Sequence, residues 1–369
     1  MKKLLYITDQ QEYSEHGSIG PLFQGYLRKH VEVHMVYFTK FKHSFQTKGL
    51  DYIVPEKDKK ELCGYLKEKG VALESFDFLF VRNMGDILEN VLTHRETYGY
   101  KVGFRASFPK TIEAYESMKA EEKATWFSGL STQYKAYKKR KLIERCDLFM
   151  PTSKDMQETF YGASGLTCFP LPAGLDPAKI RKHALAPHEE TRFVYVGTLD
   201  RLRQFDRVLA AFESLGERPW HLTILTLDVT YAKGLIAKHP AIEERIEIHR
   251  AEDLNELMER INGCDVGLAL LPRSPLFDTS IPAKVMDYYT CAIPAIVTEN
   301  AKNRTLFEEG EALFSDFEAT AIAQTLEAVI AMPRGEIARI GEAGQERILG
   351  MKRNYEIMAE ELAGVLEGL

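Results

Sequence analysis

Cysteine is scarce in this sequence, and its spacing follows no pattern. The 369 residues include 5 cysteines, which lie far apart and form no C-x-x-C pair. A disulfide-stapled miniprotein is therefore excluded, and reduced, mostly buried thiols of a cytosolic protein are expected. The 10 histidines lack metal-ligand spacing and D-x-D does not occur, so we expect no metal ion.

Long apolar runs are also missing. No stretch approaches about 18 apolar residues, the length that crosses a membrane, and the apolar run at residues 4–8 is too short for a signal peptide. Any membrane association is therefore expected to be peripheral. Hydrophobic residues at 45% and charged residues at 28% lie near globular averages, which excludes a disordered chain or a collagen-like rod.

Three binding or catalytic fingerprints are absent as well. The first predicted strand is not followed by G-x-G-x-x-G, and neither G-x-x-x-x-G-K-[ST] nor G-x-S-x-G occurs. Dinucleotide-binding, P-loop and nucleophile-elbow functions therefore lose their main support. We expect no cofactor.

Positive charge is not in excess. The formal net charge is -6, but residues 1–175 contain 26 Lys and Arg against 22 Asp and Glu, whereas residues 176–369 contain 22 against 32. A nucleic-acid-binding protein carries a basic stripe over the whole domain, so wholesale nucleic-acid binding is excluded. The balance leaves room for one basic face in the first half.

Short apolar runs alternate with longer helical segments through both halves, which is typical of parallel sheets with helical crossovers. A first helix is predicted near Ser18 and a long one over residues 121–145. We predict an α/β fold with two doubly wound, Rossmann-like domains that face each other. The predicted strands cover residues 3–8, 31–38, 76–81, 102–105, 147–151, 192–196, 221–225, 246–249, 266–270 and 295–298.

The proline-rich stretch 170–190 is predicted to link the two domains. This gives an N-terminal domain over residues 1–175 and a C-terminal domain over residues 176–350. The last segment, residues 351–369, contains a helix with one apolar face, formed by Tyr355, Met358, Leu362 and Leu366. Because ligands of such sheets bind beyond the carboxyl ends of the strands, the loops after strands are the candidate sites.

The first candidate segment follows the strand at residues 192–196. Gly197 allows a tight turn and the close approach of an anion, and Arg201 and Arg203 lie just before the next helix. Two arginines at this place supply hydrogen-bond donors for an anionic ligand. The alternative is that both arginines are solvated loop residues.

The second candidate segment, residues 271–290, runs from a strand end through an irregular loop into a helix. Ser280 is predicted to cap this helix and Pro282 to occupy its first turn, where free N–H groups attract an anion. Lys284 and Asp287 are spaced i and i+3 and share a face. Such a pair suits a ligand that carries both phosphate and a hydroxylated ring. An ordinary surface ion pair is the alternative.

Together these segments resemble those of GT-B glycosyltransferases, specifically the retaining family-four glycosyltransferases. Residues 197–212 are similar to the "VGRL…KG…LL.AF" segment of that family, and residues 280–297 to its "S.P.K..EYMA.G.PVI" segment. Residues 303–314 resemble its "NrELfedGEalf" stretch. In the first half the resemblance is weaker and rests on residues 17–20 and 145–153. It implies the GT-B fold, with the C-terminal helix crossing back to the first domain.

The resemblance also implies a nucleotide-diphosphate sugar as donor substrate. Arg203 stands where the family neutralises the donor diphosphate, Asp287 stands at the ribose-binding acid, and Lys284 occupies a phosphate-proximal basic position. Backbone amides of Ser280 and Ile281 meet the diphosphate. The implied catalytic residues are Arg203, Lys284 and Asp287; the donor-binding residues are Gly197, Thr198, Arg201, His249, Arg250, Asp278, Thr279, Ser280 and Ile281; and the acceptor and phosphate loop comprises Gly17, Ser18, Ile19, Gly20 and Arg105.

The sequence departs from the family pattern at three places. Thr198 stands where the family has an arginine, so one phosphate contact is lost or comes from Arg201. The first acid of the E-x₇-E motif falls at Thr279, with Asp278 one position away, which leaves the identity of the sugar open. Arg105 lies where the family commonly has a histidine.

The cations of the first half concentrate between residues 135 and 145, interleaved with Tyr134 and Tyr137. Such a cluster attracts anionic lipid headgroups by about 1 kcal/mol per cation. A solvated helix face is the alternative. The residues expected to contact an anionic membrane on its inner face are Lys135, Lys138, Lys139, Arg140 and Lys141.

The resemblance implies a cytoplasmic hexosyltransferase that acts with retention and without metal. It would move a hexose from the nucleotide-diphosphate sugar to a hydroxyl group of a glycan or of a lipid-linked or polysaccharide precursor. The alternatives are a GT-B nucleotide-sugar epimerase or hydrolase, a catalytically inactive sugar-nucleotide-binding subunit, and a nicotinamide dehydrogenase.

Overall fold

The computed structural model divides the chain into two compact units. Unit 1 comprises Met1–Pro172 and Tyr355–Leu369, and unit 2 comprises Ala173–Asn354. The boundaries expected from the sequence, after residues 175 and 350, lie close to these divisions. The described residues are 1–10, 19–41, 44–162, 165–183, 189–250, 253–351 and 353–369.

Unit 1 is built around a seven-stranded sheet. Its strands are β1 (Lys3–Ile7), β2 (Glu32–Thr39), β3 (Gln46–Lys48), β4 (Asp51–Pro55), β5 (Phe78–Arg82), β6 (Lys101–Ala106) and β7 (Leu148–Pro151). Their order is β3-β4-β2-β1-β5-β6-β7, and all pairs are parallel except β3 with β4. The five predicted strands are confirmed, whereas two were missed: β3, which is short and fully exposed and so carries no apolar pattern, and β4, whose apolar run covers only Tyr52, Ile53 and Val54.

Helices of unit 1 cover both faces of this sheet. They are a π-helix at Gly20–Tyr26, short 3₁₀ turns at Leu27–Lys29, Glu56–Asp58 and Leu73–Ser75, and the α-helices α1 (Leu62–Glu68), α2 (Gly85–Tyr98), α3 (Lys110–Ala120), α4 (Trp126–Ile143) and α5 (Lys154–Phe160).

The long helix predicted over residues 121–145 is wrong at its start. Glu122 has a left-handed backbone with φ of 59°, which ends α3 and turns the chain. Thr125 then caps α4 in a reciprocal capping box with Ser128. Residues 110–143 therefore form a hairpin of two helices rather than one continuous helix.

Unit 2 contains a six-stranded, entirely parallel sheet in the order β10-β9-β8-β11-β12-β13. The strands are β8 (Thr191–Val196), β9 (Trp220–Leu225), β10 (Ile246–His249), β11 (Val266–Ala269), β12 (Ala295–Thr298) and β13 (Leu313–Ser315). The helices are α6 (Phe205–Ser214), α7 (Val229–Ile236), α8 (Leu254–Asn262), α9 (Pro275–Asp278), α10 (Ala283–Thr290), α11 (Ala301–Leu306), α12 (Ala319–Ala331) and α13 (Arg334–Gly350), with 3₁₀ turns at Arg201–Arg203 and Pro240–Arg245. The five predicted strands are confirmed, and only the short edge strand β13 was missed among the described strands.

The last helix, α14 (Tyr355–Gly368), belongs to unit 1 although it follows unit 2 in the chain. Its buried side chains include the predicted Tyr355, Met358, Leu362 and Leu366, which pack in one core with apolar side chains of β1, β2 and β5. The predicted α/β fold and the crossing back of the C-terminal helix are confirmed.

Candidate functional site

The carboxyl edge of the unit 2 sheet gathers the two candidate segments. Strands β8 and β11 are hydrogen-bonded neighbours, so the loops that follow them begin side by side. The first loop runs from Gly197 to Arg203, and the second runs from Leu270 to the start of α10.

The loop after β8 holds Arg203 in one orientation. Gly197 has a φ of +121°, and a Cβ atom at this position would lie 3.7 Å from Lys284 Cε. The Asp200 carboxylate accepts a hydrogen bond of 3.0 Å from the Arg203 N–H and forms an ion pair with its guanidinium group. The guanidinium carbon lies 5.7 Å from the centroid of the Phe277 ring, so Arg203 connects the two loops.

Lys284, in the first turn of α10, carries a buried ammonium group. Its Nζ has no hydrogen-bond partner among the described residues and lies 3.6 Å from the centroid of the Tyr195 ring. Burial lowers the pKa of Lys284 well below its usual value, the charge of Arg203 lowers it further, and Asp287 and Asp200 oppose this shift. Because a buried ammonium group without a bonded partner is unfavourable, this site is a candidate for binding an anion.

Asp287 lies one turn further along α10 and is partly buried. Burial raises the pKa of its carboxyl group to about 7, while the charge of Lys284 acts in the opposite direction. The carboxyl group therefore titrates near neutral pH. In its ionised form it is an acceptor that can hold two hydroxyl groups at once.

The start of α10 differs from the sequence-based prediction. Ser280 does not cap the helix, because α10 begins at Ala283 and its N-cap is Pro282, which has an extended ψ of 140°. A proline also disfavours helical backbone at the residue before it, here Ile281, so the helix cannot reach back to Ser280. The first-turn N–H groups that remain near the candidate site are those of Ala283 and Lys284.

Tyr288 fixes α10 against the two central strands. Its hydroxyl group accepts a hydrogen bond of 3.0 Å from the Val196 N–H and donates one of 3.0 Å to the Leu268 carbonyl. The ring lies over Gly267, where a Cβ atom would come within 2.3 Å of it. The sequence analysis missed Tyr288, although an isolated glycine inside a strand signals a close approach of this kind.

The second loop is anchored at its other end by β12. The Thr298 hydroxyl group accepts a hydrogen bond of 2.8 Å from the Leu271 N–H and donates one of 2.7 Å to the Leu271 carbonyl. Further on, both carboxylate oxygens of Asp278 accept hydrogen bonds from Arg273 Nε at 3.0 and 3.1 Å, and Asn300 Nδ2 donates to one of them at 3.1 Å. The Asp278 carboxylate is thus engaged by Arg273 of its own loop and by Asn300, which follows β12.

Other predicted donor-binding residues surround this centre. Thr279 and Ile281 are buried within the second loop, whereas Thr198 is exposed and its carbonyl accepts a hydrogen bond of 2.7 Å from the Tyr195 hydroxyl group. Arg201 lines a surface depression of about 920 Å³ together with Tyr231 and others, and neither Lys284 nor Asp287 lines it.

His249 and Arg250 lie at the end of β10, with β9 between them and β8. His249 Nε2 is 3.2 Å from Glu247 Oε2, and this contact lowers the pKa of Glu247. Arg250 is exposed. At about 4.8 Å per strand, both residues lie roughly 10 Å along the sheet edge from β8.

The residues predicted in unit 1 divide into two groups. Gly17 and Ser18 lie outside the described residues, whereas Ile19 is buried and Gly20 begins the π-helix. Arg105 is buried at the end of β6, where its Nη1 donates hydrogen bonds of 3.1 and 3.3 Å to the carbonyls of Met150 and Ala106.

Arg105 belongs to a polar cluster that the sequence analysis did not find. The buried Arg82 of β5 is its in-register neighbour and forms an ion pair with Asp9. Asn83, which has a left-handed φ of 61°, donates hydrogen bonds to Asp9 at 2.9 Å and to Ser107 at 2.8 Å. These residues come from separate strand ends, so no contiguous sequence motif predicts the cluster.

The basic residues of α4 do not form one solvated face. Lys135 is exposed, but Lys138 pairs with Glu89 at 2.8 Å. Lys139 departs from the prediction: its Nζ donates a hydrogen bond of 3.3 Å to the Asn83 carbonyl, and burial lowers its pKa. Arg140 and Lys141 both pair with Glu144, at 3.6 and 2.7 Å.

Neither a metal-binding cluster nor a membrane-spanning helix occurs in the described ranges. There, no three or more His, Cys, Asp or Glu side chains are grouped so as to hold a metal ion. Within the same ranges, every helix is too short or too polar to cross a bilayer.

Known proteins match this chain in its second half by sequence and over its full length by fold. Residues 176–347 match the family model described as glycosyl transferases group 1. No curated protein is a significant match to the sequence. The structure of Anabaena Alr3699/HepE in complex with UDP-glucose is similar over 100% of both chains, with a TM-score of 0.73 and 12% identity.

Two further solved structures have the same fold. An α,α-trehalose-phosphate synthase (UDP-forming) from Burkholderia xenovorans, in complex with glucose-6-phosphate, has a TM-score of 0.65 at 11% identity, covering 98% of this chain and 99% of that one. The lipopolysaccharide outer core galactosyltransferase WaaB in its apo form has a TM-score of 0.60 at 11% identity over 100% of both chains.

The fold comparison and the family comparison agree with each other. Residues 176–347, which lie in unit 2, are similar to glycosyl transferases group 1, and the chain has the GT-B fold with two Rossmann-like domains. The resemblance noted in the sequence is thereby confirmed.

Proposed function

We propose that this protein is a retaining hexosyltransferase that moves a hexose from a UDP-sugar to a hydroxyl group of a glycan or lipid-linked acceptor, without a metal ion. The observation that carries the proposal is the buried Lys284 ammonium group, which lacks a hydrogen-bond partner among the described residues and lies in the field of Arg203. Uridine as the base is supported by the UDP-glucose bound to HepE and by the UDP-forming synthase.

Lys284 and Arg203 serve the leaving diphosphate in this proposal. Negative charge on the diphosphate grows as its bond to the sugar breaks, so contacts with two fixed cations strengthen in the transition state. The N–H groups of Ser280 and Ile281, with those of Ala283 and Lys284 in the first turn of α10, add donors for the phosphate oxygens.

Asp287 binds the ribose in this proposal, because an ionised carboxylate accepts hydrogen bonds from two neighbouring hydroxyl groups. The nucleotide then extends along the sheet edge toward β10, where His249 and Arg250 frame the base. The separation of roughly 10 Å between β8 and β10 suits a nucleotide laid along this edge.

No carboxylate is assigned to attack the sugar. Thr279 stands at the position of the first family acid, and the neighbouring Asp278 is engaged by Arg273 and Asn300. In the proposed mechanism a donor phosphate oxygen receives the proton of the acceptor hydroxyl. The protein contributes charge stabilisation and the alignment of the two substrates.

Calorimetry with UDP tests the donor site. Lys284→Met removes the ammonium group and keeps an apolar side chain of similar length, and we expect a loss of UDP affinity of about 10-fold or more. The matched control is Lys233→Met, an exposed lysine of α7 in the same unit, which should bind UDP like the wild type. Equal UDP affinities of Lys284→Met and wild type would overturn the assignment.

Product analysis separates the proposed transferase from its alternatives. UDP-glucose is incubated with and without a pool of acceptors that carry free hydroxyl groups. A transferase releases UDP in an acceptor-dependent manner, whereas a hydrolase or an epimerase converts the donor alone. UDP binding without turnover on any acceptor would indicate an inactive sugar-nucleotide-binding subunit, and NAD(H) binding would indicate a dehydrogenase.

The proposal includes peripheral contact with an anionic membrane. The contact surface on α4 consists of exposed apolar side chains together with the neighbouring cations. The exposed apolar residues of this helix are Trp126, Phe127, Leu130, Tyr134 and Tyr137, each between 45% and 75% exposed. Their spacing places them along one side of α4. Residues 110–145 contain nine Lys and Arg against five Glu, so cations accompany these aromatics. Aromatic side chains beside basic ones favour the interface of an anionic bilayer.

Vesicle co-sedimentation tests this contact. The wild type should bind vesicles of phosphatidylcholine mixed with phosphatidylglycerol, and less so vesicles of phosphatidylcholine alone. The double variant Trp126→Ala, Phe127→Ala should lose binding, whereas the control Phe41→Ala, which alters an exposed aromatic outside α4, should retain it. Unchanged binding of the double variant would contradict the proposed surface.

A further inference from the structure

Two arginines lie side by side inside unit 1, at the carboxyl edge of its sheet. Arg82 of β5 and Arg105 of β6 are in-register partners on parallel strands, so both side chains leave the same face. Only 6% of Arg82 and 8% of Arg105 is exposed. Two guanidinium groups do not remain this close in a buried place without compensation.

Among the described residues, the positive charges of Arg82 and Arg105 are compensated only in part. Asp9 forms an ion pair with Arg82, and its second oxygen accepts a hydrogen bond from Asn83 at 2.9 Å. Arg105 donates only to two backbone carbonyls within the described part of the chain. The groups that act on Arg105 are Tyr6, Arg82, Tyr355 and Tyr161, with no carboxylate among them.

A second observation points to the same place. The Tyr6 side chain is fully buried, and its hydroxyl group has no hydrogen-bond partner in the described residues. Tyr6 lies in the field of Arg82, Arg105 and Asp9, so the unsatisfied hydroxyl group faces the same cluster. An unpaired buried hydroxyl group is unfavourable in proteins unless a ligand or water satisfies it.

We propose that Arg105, Arg82 and the Tyr6 hydroxyl group form a binding site for a phosphate group. Arginine presents a planar fork of donors that matches phosphate oxygens, and Tyr6 supplies one more donor. If the transferase function proposed above holds, the phosphate belongs to the acceptor, so the acceptor is a phosphorylated compound rather than a neutral sugar. That assignment rests on the proposed function, whereas binding of phosphate does not.

Calorimetry with inorganic phosphate and glycerol 3-phosphate tests the site, with glycerol as the uncharged control. The wild type should bind both anions and not glycerol. Arg105→Gln should weaken their binding about 10-fold or more, because a charge-assisted hydrogen bond is lost. The matched control Arg145→Gln removes an exposed arginine of unit 1 and should leave the affinity unchanged.

Tyr6→Phe keeps the test decisive if the arginine variant fails to fold. This variant removes only the unsatisfied hydroxyl group, so the stability of the empty protein should hold or rise while phosphate affinity falls about 3-fold or more. Phosphate affinity equal to wild type in Tyr6→Phe and Arg105→Gln would overturn the proposal.

UDP binding distinguishes the two possible origins of the phosphate. An acceptor site predicts that Arg105→Gln and Tyr6→Phe leave UDP affinity unchanged, whereas a parallel loss of UDP affinity would overturn the acceptor assignment and give the cluster to the donor. Failure of the wild type to bind UDP would contradict the proposed function and leave the phosphate measurement unaffected.

Discussion

The two units present the same edge of the same kind of sheet, yet they bring charged side chains to it in different ways. In unit 2 the cations Arg203 and Lys284 lie within two short segments, and each has a carboxylate from its own segment nearby. Cation and carboxylate are thus matched in number there, and the ammonium group of Lys284 is held by packing rather than by hydrogen bonds.

In unit 1 the buried charges come from separate strand ends. Arg82, Arg105 and Asp9 belong to three different strands or their following loops, and the arginines outnumber the carboxylate. One architecture therefore gathers buried cations at a sheet edge by two routes: contiguous motifs in unit 2, and long-range assembly in unit 1. The difference predicts different responses to substitution.

The largest expected effect concerns unit 2. Arg203→Ala should lower kcat/KM with UDP-glucose by about 100-fold or more, because a charged contact that strengthens in the transition state contributes about 3 kcal/mol. Arg201→Ala, two residues away in the same 3₁₀ turn, is the control and should change kcat/KM little, since Arg201 lines a different depression. Similar losses in both variants would show that unit 2 uses a diffuse positive field.

Each unit has a strand glycine that lies against an aromatic ring, Gly267 in unit 2 and Gly103 in unit 1. A Cβ atom at Gly267 would lie 2.3 Å from the Tyr288 ring, and one at Gly103 would lie 2.3 Å from the Phe80 ring. Each glycine-to-alanine change should lower the free energy of unfolding by about 1 to 3 kcal/mol, as overpacking does. Gly267→Ala should also weaken UDP binding because Tyr288 carries α10, whereas Gly103→Ala should not. Denaturant titration measures the free energy of unfolding of each variant, and calorimetry measures its affinity for UDP. Equal UDP affinities of the two variants would contradict the predicted difference.

Methionine substitutions contrast the two buried cations. Lys284→Met should raise the melting temperature of the empty protein, corresponding to about 1 kcal/mol, because it removes a buried charge without a hydrogen-bonded partner. Arg82→Met should lower the melting temperature, corresponding to a loss of about 1 to 2 kcal/mol in the free energy of unfolding, because it leaves the partly buried Asp9 without its ion pair. Thermal unfolding without ligand measures both, and a change of the same sign in the two variants would contradict the contrast.

The smallest effect is a pH dependence confined to unit 2. Burial raises the pKa of Asp287 to about 7 in the empty site, and hydrogen bonds from ribose would lower that pKa in the complex. Ligand binding then releases a proton below pH 7, so affinity for UDP-glucose should fall as the pH decreases from 8 to 6, by up to about 10-fold. Measured relative to Asp287→Asn, whose side chain does not titrate, the decrease isolates this carboxyl group. If the ratio of the wild-type affinity to the Asp287→Asn affinity stayed constant between pH 8 and 6, this role of Asp287 would be refuted.

The parts of the fold that sequence reasoning found are those with a local pattern. Apolar runs of four to six residues gave the strands of both sheets, whereas the exposed β3 and the short β13 offered no run to read. The helix boundary at Thr125 was misplaced because charged residues on either side of Glu122 continue a helical composition. Its left-handed backbone is a consequence of the hairpin, which composition does not encode.

The residues of the candidate site follow the same rule: those in a local pattern were predicted, and those that depend on distant neighbours were not. Gly197, Lys284 and Asp287 stand in contiguous motifs, so they could be predicted from the sequence. Their contacts are visible only in the structure. The capping role given to Ser280 failed because Pro282 takes the N-cap position with extended backbone. Arg82 was missed because the meaning of a strand-end arginine depends on its neighbour across the sheet, which is distant in sequence.

The path of α14 has a consequence for the order of folding. The core formed by β1, β2 and β5 is closed on one face by Tyr355, Leu362 and neighbouring side chains. Those side chains leave the ribosome only after the whole of Ala173–Asn354 has been made. Unit 2 is continuous and can complete its core as soon as it emerges, whereas unit 1, although it is begun first, must wait with one apolar face covered only in part, by side chains such as Leu22 and Phe23.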